Sequence, residues 1–176
     1  MTFKIEKIRM IISDIDGVWT DGTFYKGTDD QEFKKFNVND GVGVAMARAA
    51  GYKIALISGR FSPATKYRAK ELKIEDLYNG GLNKIHAYEE LKTKYNLVDS
   101  EIAYVGDDLI DIPVMEKVGA PIAVANAIQD VKRISIYTTR VAGGFGAFRE
   151  AISWLIIGQG RMEEVLESMR KKIMNS

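Results

Sequence analysis

The sequence predicts an α/β protein built on a doubly wound, Rossmann-like parallel sheet. Short β-branched apolar runs alternate with amphipathic stretches of helical length along most of the chain, and polar or acidic residues follow directly on several of those runs. Composition agrees: with 46% hydrophobic and 28% charged among 176 residues, the chain can bury one sizeable core but not two. We therefore expect a single domain over residues 1–176, with right-handed βαβ crossovers placing helices on both faces of the sheet.

In chain order, "IRMIIS" reads as a first buried strand. The segment 19–36 breaks the rhythm. In "TFYKGTDDQEFKKF" the aromatics flank a polar turn containing Gly27, Asp29 and Asp30, which predicts a β-hairpin flap that overhangs the end of the first strand. "DGVGVAMARAAG" follows as a helix, with Asp40 expected at its N-cap and Gly51 just past its end. "KIALIS" is a second strand, and Ser62 with Pro63 opens the helix "SPATKYRAKELK". The alternation continues through "DLYNG" (strand), "NKIHAYEELKTKYN" (helix), "IAYVG" (strand), "DLIDIPVMEKVG" (helix), "PIAV" (strand) and a short helix near "AIQDVKR". After "ISIYTT" and the glycine-rich "RVAGGFGAF", residues 141–176 are expected to hold a C-terminal helical element or tail.

Charge and composition exclude several functions. A formal net charge of +1 gives no electrostatic basis for binding nucleic acid or an anionic membrane. The absence of cysteine removes disulfides, thiolate metal sites and a cysteine nucleophile, and fits a cytoplasmic protein. "MTFKIEKIRM" lacks the apolar core of a signal peptide, and no apolar run approaches the roughly 18 residues of a membrane span.

Chemistry concentrates at strand ends. Asp14 and Asp16 follow the first strand, Ser58 ends the second, Lys84 begins the helix after "DLYNGGLN", and Asp107 and Asp108 follow "IAYVG". Singly, each also fits a helix cap, a turn or a solvated surface position. Together they fall on the carboxyl edge of a parallel sheet, where open α/β sheets bind ligands. Two ionised acids beside a phosphate dianion carry about −4, which a divalent cation and one lysine reduce by about 3. Oxygen-only donors favour a hard cation such as Mg²⁺, so metal-assisted phosphoryl transfer is the chemistry these residues suit.

These motifs resemble those of the haloacid dehalogenase superfamily: "DIDGVWTDG" its first, "LISGR" its second, Lys84 its third and "GDDLID" its fourth. The resemblance implies Asp14 as nucleophile and Asp16 as general acid and base. Ser58 and Lys84 would stabilise charge on the transferred group. Mg²⁺ would be held by the side chains of Asp14 and Asp107 and the backbone carbonyl of Asp16, with Asp108 and Asp111 supporting them. The spacings from Asp14 to Ser58 and from Ser58 to Lys84 leave no room for a cap domain. A site so open to water acts on a macromolecule or is closed by a neighbouring subunit.

"FNVNDGVG", "SGRFSPATKYRAKELKI", "GDDLIDIPVM" and "RVAGGFGAFREAISWLIIGQG" extend the resemblance along nearly the whole chain to the 3-deoxy-D-manno-octulosonate 8-phosphate phosphatases. That family implies a cytoplasmic homotetramer in lipopolysaccharide precursor synthesis, acting on a sugar-acid phosphate, with hairpins completing neighbouring sites. It also implies substrate contacts from Arg60, Arg68, Gly59 and Thr20. Phosphatases of nine-carbon keto-deoxy sugar acid 9-phosphates share the scaffold; Arg60 favours the eight-carbon substrate, because the nine-carbon relatives tend to carry glutamate there. Alternatives from another class are a phospho-acceptor signalling domain and a catalytically silent regulatory module. The first has a different chain order of acids, and the second would not need all four motifs intact. Trp19 reads as packing or as a pocket wall, and His86 as a surface residue.

Overall fold

The computed structural model describes residues 5–29 and 31–175. Six strands form one parallel sheet: β1 (Met10–Ser13), β4 (Lys53–Ser58), β5 (Asp76–Asn79), β6 (Ile102–Gly106), β7 (Ala120–Ala123) and β8 (Tyr137–Thr138). Their order across the sheet is β5-β4-β1-β6-β7-β8. β1 and β6 lie in the middle and every residue in them is buried, as expected of strands covered on both faces. The helices fall into two packed groups against this sheet. In one, α1 (Val38–Ala49) packs on α6 (Ala147–Gly158) and α7 (Met162–Met174). In the other, α4 (Ile112–Met115) packs on α3 (Lys84–Tyr95) and α5 (Gln129–Ile134), while α2 (Pro63–Glu71) covers the edge strand β5. The C-terminal segment is thus an ordered helix pair, anchored by the buried Val165 of α7.

The structure corrects three local expectations. The first helix begins at Val38 because Asn37, in extended conformation, is its N-cap and accepts the Asn39 N–H at 2.9 Å. Asp40 is instead buried in the first turn, where it accepts the Arg149 N–H at 3.1 Å. It therefore caps α6, whose own N-cap, Gly146, has no side chain to offer. "DLIDIPVMEKVG" forms a 3₁₀ turn over Leu109–Asp111 followed by the single-turn α4, since Pro113 can donate no N–H and Asp111 turns back to bond its preceding backbone. The flap is shorter than 19–36: β2 (Tyr25–Lys26) pairs antiparallel with β3 (Glu32–Phe33) in a separate two-stranded ribbon. Trp19 and Thr20 lie in the buried turn before it, and Asp30 falls outside the described residues.

Candidate active site

From β1 the chain passes to β4 and β5 on one side, then returns to build β6, β7 and β8 on the other. That reversal opens a crevice at the carboxyl ends of β1 and β6. Ser13 is in register with Val105, so Asp14 and Asp107 leave the sheet side by side, and the Asp14 N–H donates to the Val105 carbonyl at 2.9 Å. The connecting loop turns back at Gly17, whose φ of +98° suits glycine. A Cβ there would stand 1.9 Å from Asp107 Oδ2, so the loop can touch Asp107 only because that atom is missing.

Lys84 is the first residue of α3, behind the N-cap Asn83, and only 2% of it is exposed. Its ammonium donates to Asp14 Oδ1 and, at 2.6 Å, to Asp111 Oδ1. Asp111 is fully buried and engaged on both oxygens. Oδ1 also accepts the Tyr104 hydroxyl at 2.7 Å, and Oδ2 accepts the N–H groups of Asp107 and Asp108 at 2.9 and 3.2 Å. It aims Lys84 and fixes the backbone that carries Asp107. The Asp108 side chain caps the 3₁₀ turn through the Leu109 N–H at 2.7 Å.

One cleft of about 220 Å³ gathers Asp14, Asp16, Ser58, Gly59, Arg60, Asp107 and Asp108 with Gly22, Phe24, Leu82 and Ile110. Two expected substrate contacts lie elsewhere. The hydroxyl of the buried Thr20 accepts the N–H groups of Gly17 and Gly22 at 3.3 and 3.2 Å, so it shapes the loop and is not presented to the cleft. Arg68 donates to Glu71 at 2.7 Å and to the Asn37 carbonyl at 3.4 Å, outside the cleft of its own chain. Ser58 lines the cleft while its hydroxyl donates to the Arg60 carbonyl at 2.9 Å. Trp19 is a packing residue, 4.5 Å from the Phe148 ring with its Nε1 donating to Ser13 Oγ. His86 is exposed beside Glu90.

The electrostatics call for a cation. Oxygens of Asp14, Asp107 and Asp111 lie within 4.8 Å of one another. Burial pushes the Asp107 carboxyl up to about 8, reinforced by Asp14, Asp111 and Asp108. Burial raises Asp14 too, against the pull of Lys84. Burial works against the Lys84 ammonium, but Asp14 and Asp111 hold its pKa above the ordinary lysine value. Three acids facing one ammonium, with only oxygen donors, suit a hard divalent ion.

The motifs gave no sign of two further residues, Glu32 and Lys34. Glu32 accepts Arg60 Nη1 at 2.6 Å and Ser62 Oγ at 2.5 Å; the Arg60 guanidinium, foremost, holds its carboxyl down at about 2. Lys34 donates to Asp16 Oδ1 at 2.6 Å. Their position in a flap, outside any strand-end pattern, concealed them; the period-2 spacing of the two charges was the available signal. A larger groove of about 620 Å³ between α2 and β5, lined by Lys66, Lys70, Ile74 and Leu77 among others, contains none of the expected site residues.

Comparison with known proteins agrees with this geometry. A family model of haloacid dehalogenase-like hydrolases matches residues 55–143. The 3-deoxy-D-manno-octulosonate 8-phosphate phosphatase of Escherichia coli K12 is 44% identical over 161 residues, covering 92% of this chain and 86% of that protein. The crystal structure of the Yersinia pestis phosphatase of the same name superposes with a TM-score of 0.87 at 40% identity, covering 90% of this chain and 86% of that one. The Moraxella catarrhalis phosphatase, solved with magnesium, phosphate and KDO, gives a TM-score of 0.89 at 32% identity over 94% of this chain and 95% of that one.

Proposed function

The chain belongs to the haloacid dehalogenase-like hydrolases and, within them, to the 3-deoxy-D-manno-octulosonate 8-phosphate phosphatases, and from that membership we propose that it hydrolyses this sugar-acid phosphate to 3-deoxy-D-manno-octulosonate and phosphate. The observation that carries the reading is the convergence of Asp14 and Asp107 in one cleft at the sheet's reversal point, with the buried Lys84 ammonium bonded to Asp14.

Asp14 is the nucleophile. Its carboxylate oxygen bonds to phosphorus as the bond to the sugar oxygen breaks, and Asp16 donates its proton to that leaving oxygen. Water then attacks the aspartyl-phosphate, Asp16 takes up the water's proton, and phosphate leaves with Asp14 restored. Lys84, oriented by Asp111, holds Asp14 and offsets the negative charge that gathers on the transferred group. Asp14, Asp107 and the backbone carbonyl of Asp16 would hold the divalent ion, which we assign as Mg²⁺. When bound, it supplies positive charge against the phosphate oxygens. Gly59 and Arg60 line the cleft and would meet the sugar acid, the guanidinium suiting its carboxylate.

The cleft's 220 Å³ falls below the roughly 300–1,000 Å³ of pockets that enclose a small ligand. It accommodates the phosphate end and leaves the sugar projecting. This supports completion of each site by a neighbouring subunit, which we assign, from the family membership, to a homotetramer. We further read residues 1–176 as one domain, working in the cytoplasm in lipopolysaccharide precursor synthesis.

Phosphate release with Mg²⁺ from the eight-carbon 8-phosphate, a nine-carbon 9-phosphate and simple sugar phosphates tests the reading. The expected result is a clear preference for the eight-carbon ester and a loss of about 10³-fold or more in Asp14→Asn. Equal turnover of all the esters would reject the substrate assignment, and persistent activity in Asp14→Asn would reject the nucleophile.

A further inference from the structure

Lys34 is a buried cation that belongs to none of the four motifs. Its side chain is 0% exposed, and its ammonium donates to Asp16 Oδ1 at 2.6 Å and Thr65 Oγ1 at 3.1 Å. Burying an ammonium is costly unless it is paired and hydrogen-bonded, so a lysine here needs both partners. Thr65 is itself buried in the first turn of α2, its N–H held by the Ser62 cap at 3.2 Å. Asp16, by contrast, keeps 29% of its side chain exposed. A firm helix end therefore holds the lysine, and the lysine holds a carboxylate that would otherwise swing into water.

The flap is shaped to deliver this contact. Glu32 and Lys34 alternate with Phe33, which is 62% exposed, so the two charged side chains share the inward face. Glu32 locks that face to Arg60 and Ser62, on the turn and cap that precede α2. Lys34 then reaches past it to Asp16.

We infer that Lys34 is a positioning residue for Asp16, so that the flap of each chain takes part in leaving-group protonation at its own site. The inference rests on the role given above to Asp16. Lys34 fixes Oδ1, which leaves Oδ2, 3.7 Å from Arg60 Nε, as the oxygen that serves the leaving group. As the bond from phosphorus to the sugar oxygen breaks, Asp16 gives a proton to the leaving oxygen and the alcohol forms. The ammonium beside Oδ1 accommodates the charge left on the carboxylate.

Leaving-group dependence separates this role from a structural one. A sugar alkoxide must be protonated to depart, whereas p-nitrophenolate leaves as a stable anion. We expect Lys34→Met to lower kcat on the eight-carbon sugar-acid phosphate by about 30- to 100-fold, with KM changed less than about twofold. On p-nitrophenyl phosphate the first-turnover release of p-nitrophenolate should slow no more than about threefold, whereas later turnovers slow further because Asp16 also takes up the proton of the attacking water. Lys34→Arg should recover most of the lost kcat, and Thr65→Val should show a smaller loss with the same substrate pattern. Equal slowing of first-turnover leaving-group release from both esters, in Lys34→Met or in Thr65→Val, would overturn the inference, as would a rise in KM at unchanged kcat. A wild-type protein that releases phosphate from neither ester would instead overturn the phosphatase reading itself.

Discussion

Gly17, beside the cleft, has little room for change. Its φ is positive, and a methyl group on its Cα would stand 1.9 Å from Asp107 Oδ2, which leaves no space for alanine. Gly17→Ala should displace Asp107, costing about 1–3 kcal/mol of backbone strain and lowering phosphatase activity by about 100-fold or more while the chain stays folded. Activity within about threefold of wild type, with an unchanged circular dichroism spectrum, would show that the Asp107 position is not critical. The acids themselves were legible in the sequence, because several polar clusters fall together on the carboxyl ends of strands, although each alone also fits a cap or a turn. The contacts that aim them were not. The resemblance gives Asp111 a supporting role, but only the fold shows Tyr104, Lys84 and two backbone N–H groups converging on it. Thr20 carries a hydroxyl beside the acid pair, yet only the fold shows that it faces the loop and not the substrate.

Elements are joined by side chains that cross between them, and Asp40 shows the cost. It caps α6 from α1, and its second oxygen is buried without a hydrogen-bond partner. Burial pushes its carboxyl up to about 6, although the Arg149 N–H and the charge of Arg68 favour the ionised form. An acid whose pKa is raised on folding holds its proton more tightly in the native state. Its contribution is therefore most favourable below the ordinary value of 3.8, declines as pH rises, and is lost above about 6. Asp40→Asn keeps an acceptor for Arg149 and removes this dependence. Urea midpoints should fall less between pH 4 and pH 7 in the variant than in wild type; parallel curves would show that Asp40 ionises without penalty. Helix α2 was readable to the residue from Ser62 and Pro63, since both start signals are local. The start of α1 was misplaced because Asn37 and Asp40 are both good caps, and only the demand of α6 for an acceptor separates them.

At the scale of the whole molecule, the small cleft and the outward aromatics of the flap belong together. Tyr25 and Phe33 are 68% and 62% exposed on a two-stranded ribbon, a structure that gains little stability by itself and much from being covered. Light scattering on the purified protein should give four times the chain mass. Tyr25→Asp with Phe33→Asp should dissociate the assembly and raise KM for the sugar-acid phosphate by about tenfold; a fully active wild-type monomer would rule out completion of the site by a neighbour. The sequence by itself determined the strand and helix alternation, the acids at the strand ends, the helix caps with strong local signals and the family to which the chain belongs, because each is written in adjacent residues or short spacings. Only the tertiary structure decided that the cleft sits where the sheet reverses direction, that Asp111 orients Lys84, that Arg68 lies outside the cleft of its own chain, and that Lys34 reaches Asp16. The contacts of Lys34 and Lys84 join residues 18 to 70 positions apart, and nothing in a local pattern fixes which of several competent polar side chains the folded chain will bring together.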